Sequence, residues 1–148
     1  MANIITSSED KNPKLKPLSV PQKVYQDDFS PGRGNALQAG VASIFGLSLD
    51  QVPNFILSPN GYETAIRDFC KDAVSCVKVQ LSNNENKSLG EKYHNRLLLL
   101  RGKSPRGDHG HVVVAAYDGE KFEMKHDPHP DETFLDSKEP YGWAMIFL

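Results

Sequence analysis

The sequence predicts an α+β domain in which an N-terminal helix packs on a mostly antiparallel β-sheet. Three observations predict it. Leu37, Val41, Ile44 and Phe45 recur at helical spacing in the first third of the chain. Short apolar or alternating segments take over after residue 75. The run "YDGEKF" (117–122) then puts an Asp-Gly turn between two of those segments, a strong hairpin signal. Helices first and strands afterwards favour an antiparallel sheet over an alternating parallel one.

Residues 1–20 hold Pro13 and Pro17 among Lys, Ser and Asn, with little to bury, and read as a loosely attached arm. Residues 21–148 form the domain, long enough at that size to bury a core. "VYQDDF" (24–29) reads as a short extended piece and "SPGRG" (30–34) as a turn. Asn35 sits where an N-cap belongs. The helix after it carries Ala36, Ala39, Gly40, Ala42 and Ser43 between its large apolar residues, a pattern for burial on most sides, and Gly46 supplies the stop. Ser48 caps a short turn that Pro53 ends, and "GYETAIRDFCKDA" (61–73) fits a second helix with Tyr62, Ile66, Phe69 and Cys70 on one face. Strands are expected at 76–81, 95–101, 111–118, 121–127 and 143–148, and the polar stretch 82–94 reads as a surface loop in which His94 is solvated.

Composition excludes some roles. A net charge of -2 gives no reason to expect nucleic acid or an anionic membrane as partner. No apolar run approaches the roughly 18 residues of a membrane span, and the N-terminus lacks the pattern of a secretory signal. Two cysteines, Cys70 and Cys76, make no disulfide framework, so a reducing, cytoplasmic setting is the expectation.

The chemistry concentrates at "GNA", "DHGH" and "KHDPHP". Thiol nucleophiles are activated at a helix N-terminus, where unpaired N–H groups and the positive end of the macrodipole favour a thiolate. Position 36 is that place, and it holds alanine. His111 begins a strand beside Gly110, and Asp127 ends the strand paired with it, so the hairpin would bring imidazole and carboxylate together. Arg106, in the basic turn "KSPRG" ahead of His111, would meet a substrate carboxylate. Cys70 and Cys76 have no neighbouring histidine in sequence and are rejected as nucleophiles. A rival reading is a zinc site drawn from His109, His111, His126, Asp127, His129 and Asp131, although no standard zinc spacing is present.

Together, "GNALQAGVASIFGLSLDQVPNF", "SPRGDHGHVVV" and "HDPHP" resemble a small papain-like cysteine peptidase or amidohydrolase family of bacteria and phages. Its members read "GNC", then "LDEVP", "HAVV" and "HDPHP", and the resemblance spans about residues 24–148. It implies a papain-like fold and hydrolysis or acyl transfer at a peptide or other amide bond, without a cofactor. It places the nucleophile at Ala36, the general base at His111, the residue orienting it at Asp127 and an oxyanion-hole glutamine at Gln26. Asn35, Arg106 and Gly110 are the expected substrate contacts. The departure is Ala36, which removes the reacting atom and leaves the chain as written inactive. It fits either a deliberate Ala-for-Cys replacement in an active enzyme or a natural pseudoenzyme that binds a peptide or small amide in the old cleft. Oligomeric state is not readable from the chain.

Overall fold

A computed structural model of the chain describes residues 15–81, 89 and 93–148. Within them lie α1 (Ala36–Phe45), α2 (Tyr62–Cys70), two 3-10 turns (Leu49–Gln51 and Phe55–Leu57) and five strands: β1 (Cys76–Gln80), β2 (Leu98–Lys103), β3 (Gly110–Tyr117), β4 (Phe122–His126) and β5 (Trp143–Phe147). The strands form one sheet in the order β1-β5-β2-β3-β4, and each neighbouring pair is antiparallel. This is the predicted α+β arrangement, with β2 starting three residues later than expected and running on through Gly102 and Lys103 to pair with His111 and Gly110.

The sheet is apolar on both sides because its strands alternate between two cores. Leu99, Val112, Val114, Trp143, Met145 and Phe147 face the helices; Leu98, Leu100, Val113, Ala115, Ala144 and Ile146 form the second core. Helix α1 lies across β2 and β3, and Gly40 lets it approach: a Cβ there would stand 2.7 Å from Leu99 Cδ2. Except for the half-buried Ala36, its small residues are buried as their pattern predicted, Ala39, Ala42 and Ser43 completely. Gly46 ends it in the left-handed region (φ 70°), donating its N–H back to Ala42 O. In α2, Ile66 and Cys70 point into the core while Tyr62 and Phe69 are half-buried against it.

Residues 1–14 of the expected arm lie outside the described residues. From residue 15 onward the chain is tied to α1: Leu15 packs on its core, Leu18 N–H donates to Ile44 O at 2.8 Å, and Gln22 N–H to Ser43 O at 2.9 Å. The extended piece at 24–29 joins no strand. It is held instead by Ser43 Oγ, which accepts from Val24 N–H, and by His126, whose Nε2–H donates to Val24 O at 2.7 Å. Most of the surface loop expected at 82–94 is outside the described residues, but Leu89 within it is fully buried in the second core. His94 is not simply solvated; its ring meets Tyr117 edge-on at 5.7 Å. Among the described residues no single helix is long and apolar enough to cross a membrane.

Candidate active site

The N-terminus of α1 opens onto a cavity of about 650 Å³ that reaches the end of β3. Ala36, Gln26, Gly110, His111, His129 and Arg106 all line it. Asn35 does not. Its Oδ1 accepts from the N–H groups of Asp27 and Asp28, and its Nδ2 donates to Asp27 and Gln38. Asn35 holds the expected N-cap position, its C=O accepting from Ala39 N–H, but its side chain makes no cap bond to the helix and clamps the loop before α1, away from the cavity. The difference matters for the site. With no side-chain cap and no acidic residue in the first turn, the helix leaves N–H groups and its positive end available for another anion.

His111 and Asp127 meet as expected, with Nε2 to Oδ1 at 2.6 Å and both residues buried. How they meet was not readable. From Tyr117↔Phe122 to Ala115↔Met124 the hairpin is regular, and then a bulge puts Val114 opposite His126. In an unbroken ladder Lys125 would oppose Val114 and Asp127 would fall on the far face from His111. One extra residue reverses that parity and delivers the carboxylate to the histidine's side.

Burial alone would push the Asp127 carboxyl up. Hydrogen bonds from His111 and from the N–H groups of His129 and Phe134, together with the charge of His111, outweigh it and hold the carboxyl below the usual range. Phe134 makes its bond from a left-handed backbone (φ 63°), a conformation costing roughly 1–2 kcal/mol for a residue with a side chain. An ionised Asp127 only accepts, so His111 donates from Nε2. The neutral ring then carries its lone pair on Nδ1, which has no partner among the described residues. The imidazole is thus set as a base on the cavity wall.

Gln26 is 7% exposed beside Ala36's end of the cavity. Its N–H donates to Pro128 O, pinning it to the "HDPHP" turn, and one Nε2–H donates to Asp28 O, leaving the second uncommitted among the described residues. Its Oε1 is buried without a donor among them, a cost of about 1–3 kcal/mol. Arg106 lines the cavity, but its Nη1 already donates to Asp131 Oδ1 (2.9 Å) and Thr133 Oγ1 (2.6 Å). Gly110 leaves room for the Arg101 guanidinium, which a Cβ there would strike.

The zinc reading finds no ligand set. Among the described residues no three of His, Cys, Asp or Glu are grouped to hold a metal ion. His126 is engaged by Val24 O, His111 by Asp127, and His129 Nδ1 accepts from Asp131 N–H. Burial and the Arg106 charge also lower the His129 pKa, keeping that ring neutral. Cys70 and Cys76 are both buried in the helix-side core. The hydrogen bond between their thiols, and burial, push Cys70 far up, while the same hydrogen bond lowers Cys76; neither lines the cavity, so neither presents a thiolate to it.

The sequence did not single out Arg101, nor the Tyr62–Trp143 pair, whose rings stack 5.7 Å apart at 15° and also line the cavity. The alternation of β2 was their signal: an arginine where the helix-facing row would otherwise continue Leu97 and Leu99. The chain matches no family model, no curated protein and no solved structure.

Proposed function

We propose that this domain is a papain-like thiol hydrolase or acyltransferase acting on a peptide or other amide bond, present here without its nucleophile because residue 36 is alanine. A cysteine at 36 would stand at the uncapped start of α1 and share the cavity with the His111 ring. His111 Nδ1 takes the thiol proton, Asp127 holds the resulting imidazolium, and the thiolate attacks the amide carbonyl. The tetrahedral oxyanion finds the second Nε2–H of Gln26 and the free N–H groups of the helix start. His111 returns the proton to the leaving amine. Water, or an acceptor amine, then releases the acyl group from sulfur.

The observation that carries this reading is the buried His111–Asp127 pair, with the basic nitrogen left to a cavity that Ala36 also lines. The test is Ala36→Cys. Iodoacetamide is expected to alkylate the introduced thiol much faster than an ordinary cysteine near neutral pH, and adding His111→Ala to slow it by about 100-fold. An ordinary rate, unchanged by the histidine, overturns the reading.

A pseudoenzyme that binds a peptide or small amide in the same cleft is the second reading. It is favoured by the chain as written, in which Ala36 leaves the cavity open and its lining intact. A genomic coding sequence with alanine at 36 selects it over the first.

A further inference from the structure

The two arginines of the cavity differ in what they have left to offer. Arg106 is engaged by Asp131 and Thr133. The Arg101 guanidinium, exposed at the cavity, has no hydrogen bond or ion pair among the described residues. It occupies the central strand of the sheet, opposite Val112 on one side and Trp143 on the other, and both of those line the cavity. Strand alternation places it in the row of Leu97 and Leu99, the row that elsewhere packs under α1. A charge in such a row is ordinarily paired or replaced by an apolar residue.

Two glycines make space for it: a Cβ on Gly110 would run into its guanidinium, and one on Gly142 would lie 3.8 Å from Nη1. Among the described residues the cavity wall holds no Asp or Glu, although acidic residues outnumber basic ones in the chain, 19 to 17. The local charge is therefore set against the protein's own balance, which is how a site is tuned to an anion.

The geometry points to a ligand that carries a carboxylate, bound by Arg101 beside Trp143, an inference that rests on the reading of this cleft as the amide-binding site. Arginine's planar fork matches a carboxylate with two parallel N–H donors. Beside it, Tyr62 and Trp143 stack on each other and line the cavity, with the Lys78 ammonium over both rings. The amide to be cleaved would then sit toward Ala36 and His111, with the carboxylate fixing its register along the cleft. A peptide supplies such an acid in two ways, as its C-terminal carboxylate or as an Asp or Glu side chain.

The experiment uses the chain as written and three N-acetylated tripeptide series, read by calorimetric or NMR titration. One series ends in a free acid, one is carboxamide-capped with an internal Glu, and one is carboxamide-capped with Gln in its place. One acidic series is expected to bind at least about tenfold more tightly than the neutral one. Arg101→Gln should abolish that preference, Arg101→Lys should keep part of it, and Arg106→Gln should leave it intact. The unfolding midpoint of each variant verifies that it is folded. Equal affinities across the three series, no binding by any, or a preference that survives Arg101→Gln overturns the inference. Because Ala36 carries no chemistry, an Arg101-dependent preference alongside an unreactive Ala36→Cys variant would remove the hydrolase reading and keep this one. A reactive thiol in that variant with no acid preference would do the reverse.

Discussion

The short run from His126 to Asp131 takes part in two histidine–aspartate pairs, and they are built for different ends. Asp127 is buried, and its two oxygens accept from His111 and from two backbone N–H groups. Asp131 is exposed, and its Oδ1 accepts from Arg106, from Thr133 N–H and from the Thr133 hydroxyl. The first carboxylate has one side-chain partner and fixes its tautomer. The second is neutralised by an arginine, and its histidine neighbour, His129, accepts the Asp131 N–H at Nδ1 rather than donating to the carboxylate. Proximity of the two residue types does not make a base. Burial, backbone donors and the absence of a competing cation do.

Removing what makes the pairs unlike should show it most strongly at the bulge. Deleting Lys125 together with His126 gives an unbroken ladder in which Asp127 falls opposite Val114, on the face away from His111. In the Ala36→Cys background the alkylation rate is expected to fall by about 100-fold, to that of the His111→Ala double variant, while the far-ultraviolet circular dichroism keeps its sheet signal. Retained reactivity would mean that the bulge does not position the carboxylate.

Asp127→Asn is a milder probe of the same contrast. It leaves the shape but removes the charge to which two backbone N–H groups and an imidazole donate, and a loss of about 2–4 kcal/mol in urea unfolding is expected. Asp131→Asn, at the surface, should cost less than about 1 kcal/mol. Comparable losses would abolish the distinction drawn between the pairs.

The pairs should also separate with pH. The folded Asp127 carboxyl lies below its unfolded value, so its contribution is complete above the unfolded pKa of about 3.9 and fades as pH falls through the lower folded one. The difference in urea midpoint between the native chain and Asp127→Asn is therefore expected to be constant near neutrality and to close below about pH 4. A difference that widens on acidification would reverse the assigned sign.

The smallest effect belongs to Arg106. Its bond to Asp131 is partly open to solvent, and Arg106→Gln should change stability by less than about 1 kcal/mol.

Much of this was legible in the residues, and what was not has identifiable causes. The strands were visible because both faces of the sheet are buried, which leaves near-continuous apolar runs such as "LLLL" and "HVVVAAY". His111 and Asp127 were visible because an Asp-Gly turn fixes which strands pair. The bulge was not, since "FEMKHD" shows no residue that marks it. Asn35 marked the helix start correctly, but its side chain suits a loop clamp as well as a cap, and only tertiary contacts choose between them. Arg106 drew attention by lying near His111 in sequence, but which arginine stays unpaired depends on where Asp131 and Thr133 come to rest, 25 and 27 residues further on.

The most direct test of the central claim is a pH titration of the thiolate absorbance that Ala36→Cys introduces, with and without His111→Ala. If the imidazole faces position 36 with Asp127 behind it, the thiolate forms with a midpoint below about 7, and loss of the histidine moves it toward the free-cysteine value of about 8.5. A midpoint already at the free-cysteine value, and indifferent to His111, would contradict the account.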